Sequence, residues 1–237
     1  MPDLIILEMG KPPQEIIDKI GDFSSWILKL IPDKYKNETK IILSKDFPSY
    51  IDTNLNALKG VIITGSHDMV TEPNDEQKKT FDTLKNILIN LNPNLPIFGI
   101  CYGHQLLAEL LGGKASFRKN GAEIGLVDIK FNENDDPIFK GLSNKTIKIY
   151  CSHYQCAEIL PENAKLLAYS NLEKHQAFRY KNCWGVQFHP EFPKEGCIFY
   201  EKKFTDKNGL NKRVEYIEKN FVNNNLIEKF CDFVFNN

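Results

Sequence analysis

The 237-residue chain has no surplus of either charge, no long apolar run and no paired-cysteine motif. Its 30 Lys and Arg stand against 31 Asp and Glu, and the net charge of -1 offers no electrostatic footprint for nucleic acid or an anionic membrane. No apolar stretch approaches the roughly 20 residues that a helix needs to cross a bilayer. The start, Met1-Pro2-Asp3-Leu4-Ile5-Ile6-Leu7-Glu8, has no basic region ahead of its short apolar run, so it reads as a strand and not as a signal peptide. A cytoplasmic protein without nucleic-acid or membrane partners is expected. The six cysteines, at 101, 151, 156, 183, 197 and 231, form no Cys-x-x-Cys pair, and their number does not by itself establish disulfides. Most should be buried thiols. His67, His153 and His175 show no zinc-type spacing with cysteines or other histidines, so neither a metal nor another cofactor is expected. No repeat and no Gly/Ser tract marks a linker, and residues 1–237 read as a single domain.

What is present is ordinary globular material, 42% hydrophobic and 26% charged, in a patterned order. Apolar runs at Leu4 to Leu7, Ile41 to Leu43, Val61 to Thr64 and Pro96 to Ile100 are continuous rather than alternating, as in strands covered on both faces. Helical spacing fills the gaps: Glu15 to Leu30 as one segment, and Asp75 to Leu91, opened by Pro73-Asn74. Alternating strands and helices predict an α/β fold with an open, mainly parallel sheet flanked by helices. From Ile124 onward short strand candidates follow one another (124–131, 146–151, 166–170, 176–180, 183–188) with little helix between, so antiparallel strands are expected in the second half. Val214 to Phe235 reads as two packed helices parted by Asn223-Asn224-Asn225.

The densest chemistry lies in Pro96-Ile97-Phe98-Gly99-Ile100-Cys101-Tyr102-Gly103-His104-Gln105. It sets a cysteine in Gly-x-Cys-x-Gly between a buried strand and a helix ending at Gly112-Gly113. At such a turn the thiol is pushed out above the sheet, and a Cβ at either glycine would crowd strand against helix. The helix N-terminus favours a thiolate, and the amide of Tyr102 points to where an oxyanion would form. Read alone, the motif fits an inert core thiol equally well, so its neighbours decide.

A thiol nucleophile needs an imidazole to take its proton and return it to the leaving amine, and a third group to orient the ring. Of the five histidines only His189 stands in His189-Pro190-Glu191, directly after the strand-like Trp184-Gly185-Val186-Gln187-Phe188. Two residues on, Glu191 can reach back and fix the tautomer. His104, close to the cysteine in sequence, has the wrong reach for a base and is read as structural.

These residues resemble the class I (triad) glutamine amidotransferases, which share Gly99 to Gln105 and Gly185 to Glu191 as signatures. The likeness extends to Val61-Ile62-Ile63-Thr64-Gly65-Ser66, similar to the family's strand and oxyanion loop, and to Tyr150-Cys151-Ser152-His153, similar to its loop near bound glutamine. It implies a flavodoxin-like fold with catalytic groups at the carboxyl ends of the strands. It also implies that Cys101 attacks the γ-carbonyl, His189 serves as acid and base, and Glu191 orients His189. Tyr102 and the Gly65-Ser66 turn would supply oxyanion amides, and Gln105, His153 and Tyr154 would help hold glutamine. The chain departs from the family at Ser66, where a second glycine is common, and at Gln155, where an acid is usual.

The expected activity is hydrolysis of the glutamine side-chain amide to glutamate and ammonia through a γ-glutamyl thioester. The 46 residues after Glu191 are too few for a nucleotide-binding synthetase domain. The expectation is therefore a freestanding, GMP-synthase-like amidotransferase or an ammonia-donating subunit of a separate synthetase. A γ-glutamyl peptidase acting on glutathione-like peptides is the alternative, and a binding or regulatory subunit of low activity is the third reading. The lysine-rich stretch from Phe192 to Asn211 reads as a solvated loop or helix face, or else as a flank of the pocket.

Overall fold

A computed structural model describes residues 4–204 and 209–236. The strand expected from Met1 begins in it at Leu4. Met1, Pro2 and Asp3, like residues 205–208 of the lysine-rich stretch, lie outside the described residues. The first half runs β1 (Leu4–Glu8), α1 (Gln14–Ile20), α2 (Phe23–Leu30), α3 (Asp33–Lys36), β2 (Thr39–Leu43), α4 (Phe47–Asn54), β3 (Gly60–Ile63), α5 (Asp75–Asn86), β4 (Ile97–Ile100) and α6 (Tyr102–Leu110). The second half runs β5 (Lys114–Phe117), β6 (Glu123–Phe131), β7 (Thr146–His153), β8 (Gln155–Ile159), β9 (Lys165–Tyr169), β10 (Ala177–Tyr180), β11 (Cys183–Val186), α7 (Lys194–Phe204), α8 (Leu210–Asn220) and α9 (Leu226–Asn236).

Nine strands form one sheet in the order β2-β1-β3-β4-β11-β10-β9-β6-β7. From β2 to β11 the pairing is parallel, and from β11 to β7 it is antiparallel. The mixed sheet expected from the change of texture at Ile124 is thus present. The inner parallel strands β1, β3, β4 and β11 are apolar except for Glu8 because both faces are covered. Leu4, Ile6, Ile62, Phe98 and Trp184 face one core with Ile27 of α2 and Phe230 of α9. Ile5, Leu7, Val61, Ile63 and Ile97 face the other with Leu84 of α5 and Leu106 of α6. Each such buried side chain contributes on the order of 2 kcal/mol.

Three local expectations change. The segment from Glu15 to Leu30 is two helices, because Gly21 turns to φ 93 and donates its N–H to Ile17 O, while Asp22 Oδ1 accepts from Ser25 N at 2.8 Å to start α2. Strand β2 lies at the sheet edge, so only Ile42 is buried and Ile41 is exposed. A two-stranded antiparallel pair, β5 with β8, had no forecast. The C-terminal segment does divide at the Asn run, into α8 and α9. Among the described residues no helix is long and apolar enough to cross a membrane.

Candidate active site

Cys101 is the residue between β4 and α6. Its backbone stands at φ 50, ψ -95, a conformation a residue with a Cβ rarely adopts. Both ends of the turn are fixed. Cys101 N donates to Val186 O at 2.8 Å, tying the turn to β11, and Gln105 N donates to Cys101 O at 3.1 Å, opening the helix. The glycines on either side are required by packing: a Cβ on Gly99 would collide with the backbone of Gly103, and one on Gly103 would lie 2.7 Å from Ile63 O. Close approach of strand and helix therefore forces the sharp bend that exposes the thiol to a cavity, although Cys101 as a whole is buried.

His189 follows β11 and is anchored to the antiparallel half, its N–H donating to Tyr150 O at 2.8 Å. Its Nδ1 lies 2.7 Å from Glu191 Oε1, and its ring packs 4.1 Å from that of Phe192. Burial by itself would lower the pKa of His189. The Glu191 carboxylate, the charge of Cys101 and hydrogen bonds to both side chains outweigh it and raise the pKa to about 10. Nδ1–H donates to Glu191, which leaves Nε2 for Cys101. The three side chains that the sequence singled out are brought together.

Gly65, at the end of β3, backs onto both: a Cβ there would lie 3.3 Å from His189 Cε1 and 3.9 Å from Cys101 Cβ. Thr64 shapes this loop, accepting from Met9 N at 3.0 Å and donating to Gly65 O at 2.9 Å. Serine is accommodated at 66 because its φ is not positive, and Gly10 leaves the space that Ser66 Oγ fills. Tyr102 is the first residue of α6, where backbone N–H groups have no partner within the helix.

A cavity of about 290 Å³ opens over Cys101, between the Ser66–Met69 loop, Tyr102, Gln105, the Ser152–Gln155 segment and the end of α7. Tyr154 is exposed at its rim. Gln105 is buried and turned inward, its Nε2 donating to Gln155 O at 2.8 Å and Gln187 Oε1 at 3.1 Å. His153 is 3% exposed, with both ring nitrogens engaged inside the protein. Gln155, which stands where the resemblance leads one to expect an acid, donates from Nε2 to Thr71 Oγ1 at 2.6 Å.

Sequence reasoning missed two contributors. Gln187 donates from Nε2 to Cys101 Sγ at 3.6 Å. It is buried in the run before His189, and a polar residue closing an apolar strand was the available signal. Most of the described lysine-rich stretch is helix α7, and its inner face is packed rather than solvated. Tyr200 is buried against Phe192 and shares a 2.7 Å hydrogen bond with His67, while Lys203 and Phe204 line the cavity. His104 is wholly buried against Phe178, and burial pushes its pKa down to about 3, consistent with a structural part. All six cysteines are free and buried. Burial pushes Cys156, Cys183 and Cys231 up to about 12 and Cys151 and Cys197 well above the ordinary thiol value.

A thiol on a strained strand-to-helix turn, facing an imidazole oriented by a carboxylate, is the arrangement of a cysteine-nucleophile hydrolase. Residues 17–196 match the family model Glutamine amidotransferase class-I, and the chain belongs to that family. A GMP synthase (glutamine-hydrolyzing) of Caldicellulosiruptor saccharolyticus is 41% identical over 140 residues, 56% of this chain and 24% of that protein. One of the subunits of a GMP synthase (glutamine-hydrolyzing) of Pyrococcus abyssi is 39% identical over 135 residues, 56% of this chain and 65% of that protein. This chain thus spans about a quarter of the first relative and just under two thirds of the second. The fold is shared with the crystal structure of a glutamine amidotransferase from Thermotoga maritima, with a TM-score of 0.71, 21% identity and 99% of each chain covered.

Proposed function

We propose that this protein hydrolyses the side-chain amide of glutamine to glutamate and ammonia, with Cys101, His189 and Glu191 as its catalytic residues. The observation that carries the reading is the pairing of an outward-turned Cys101 with a His189 held 2.7 Å from Glu191. The thiolate attacks the γ-carbonyl carbon, and charge gathers on the carbonyl oxygen. The amides of Tyr102 and of the Gly65-Ser66 turn are the donors that receive this oxyanion; each such donor is typically worth about 3 kcal/mol. His189 gives its proton to the departing nitrogen, ammonia leaves, and a γ-glutamyl thioester remains. The neutral ring then takes a proton from water, the resulting hydroxide attacks the thioester, and the thiolate and glutamate are released. Glu191 keeps the proton on Nδ1 throughout, so that Nε2 always faces the reaction.

Gln105 sets the cavity floor through its bonds to Gln155 and Gln187, and Tyr154 closes the rim, so both shape the site for a γ-glutamyl head group. The two relatives that bear the GMP synthase name support a partner that consumes ammonia, and we infer that this chain serves as one amidotransferase domain donating ammonia to a synthetase partner. The test is ammonia release from glutamine measured beside amino-acid release from γ-glutamyl peptides. Faster turnover of glutamine is expected, and a strong preference for peptides would replace the reading with a γ-glutamyl peptidase.

A further inference from the structure

Residues 64–74 link β3 to α5 without helix or strand, and they carry the Gly65-Ser66 turn that backs onto Cys101 and His189. Two side-chain bonds tie the middle of this loop to neighbouring helices. On one side Asp68 Oδ2 accepts from Gln77 Nε2 of α5 at 2.8 Å. On the other, His67 Nε2 lies 2.7 Å from the hydroxyl oxygen of Tyr200 on α7. Among the described residues that hydroxyl has no other hydrogen-bond partner, so it donates its proton to His67 and Nε2 accepts. The charge states agree with this direction. Burial, with Glu191 and Cys101 nearby, pushes Tyr200 up, so it keeps its proton. Burial, with the charges of Lys203 and His189, outweighs Asp68 and pushes His67 down, toward the neutral ring.

Tyr200 is 1% exposed, and its ring meets a second part of the site. It lies 5.1 Å from Phe192, whose own ring packs on His189. Phe192 stacks on Phe23 of α2 at 5.9 Å, and Phe23 meets His67 edge-on at 5.9 Å. His67, Tyr200, Phe192 and Phe23 thus close a cycle of ring contacts, with the oxyanion loop attached at His67 and the base at Phe192. Ring pairs tolerate a range of offsets. The Tyr200 hydroxyl supplies the directional bond in the cycle.

We propose that Tyr200 is a positioning residue for the reaction: its hydroxyl, bonded to His67, holds the Gly65-Ser66 turn at the distance from Cys101 and His189 that the oxyanion requires. His67 lines the Cys101 cavity and Tyr200 stands behind it, acting through it. The effect falls on the step in which charge gathers on the carbonyl oxygen, because preorganised donors act only when they already stand where that charge develops. Binding of the substrate, which carries no oxyanion, is spared.

The inference rests on the proposed hydrolysis, since only a reaction through an oxyanion draws on that turn. Tyr200→Phe tests it by removing the hydroxyl while keeping the ring and its contact with Phe192. For glutamine, kcat should fall roughly tenfold and KM should stay within about twofold. Alkylation of Cys101 by iodoacetamide, in which sulfur bonds to the methylene carbon as iodide leaves and no oxyanion forms, should keep its wild-type rate. Adding His67→Phe to Tyr200→Phe should cost no more than either change alone, since both remove one shared bond. If Tyr200→Phe does not fold, His67→Phe breaks that bond from the loop side and carries the same measurements of turnover and alkylation. An unchanged kcat or a rise in KM alone would overturn the inference. So would alkylation slowed by the same factor as turnover, because the effect would then lie in the thiol and imidazole. A wild type that hydrolyses γ-glutamyl peptides and not glutamine would remove the glutaminase reading alone, and the comparison on the peptide would decide the inference. One that hydrolyses neither would remove both.

Discussion

The parallel and antiparallel halves of the sheet position their parts of the site by different means. In the parallel half the backbone does it: Cys101 follows β4, Gly65 follows β3, and His189 comes three residues after β11, all at carboxyl ends of neighbouring strands. Gly99 and Gly103 let strand and helix close up, so the backbone turn places the Cys101 thiol, which also accepts from Gln187 Nε2. In the antiparallel half side chains do it. The Ser152–Gln155 wall is held on one side by Glu123, which binds His153 and is itself met by Ser170 and Gln176, and on the other by Gln105, which donates to Gln155 O. The candidate nucleophile thus sits on a backbone turn, and the cavity wall beside it on a side-chain network.

Substitutions around the backbone-placed residues should therefore separate loss of rate from loss of stability. The largest effect is expected for Cys101→Ala, which should lower ammonia release by roughly 10⁴-fold or more while a thermal melt stays close to wild type. A large loss of melting temperature would mean that the thiol holds the fold together. Glu191→Gln should reduce kcat by roughly 10³-fold, and it carries a signature in pH. The folded-state pKa of His189 is raised from 6.5 to about 10, so its stabilisation is complete below 6.5 and disappears as pH climbs toward 10. The gap in melting temperature between wild type and Glu191→Gln should accordingly narrow over that interval, and a gap that widens would reverse the assigned charges. Gly99→Ala forces a Cβ against the Gly103 backbone and should cost about 2 kcal/mol or more of stability, seen as a melting temperature lower by about 5 °C. The smallest effect belongs to Ser66→Gly. Because Ser66 does not use a positive φ, stability should stay within about 0.5 kcal/mol and kcat should be unchanged.

The same division explains what could be read before the fold was known. Gly99 to Gln105 and His189 to Glu191 are short contiguous runs, and the residues that place the chemistry are neighbours of those that perform it. The continuous apolar runs of β1, β3 and β4 announced the parallel sheet because strands covered on both faces have no polar side to show. The network around Glu123 was legible only at His153, through the Tyr150 to His153 run; Glu123 opens β6, Ser170 and Gln176 lie between β9 and β10, and no neighbour marks them. Gln187 was named within a motif but given no part, because its contact with Sγ depends on how β11 lies beside β4. The Gly21-Asp22 break passed unseen since the apolar spacing of Ile16, Ile17, Ile20, Trp26 and Ile27 runs across it. Only the φ of 93 at Gly21 ends the helix.

Covalent labelling of the folded protein with a γ-glutamyl electrophile, located by peptide mass spectrometry, puts the nucleophile assignment to the most direct test. One equivalent on Cys101, blocked by excess glutamine and slowed in Glu191→Gln, is the expected result. No adduct at Cys101, or equal modification of Cys151 or Cys156, would contradict the account.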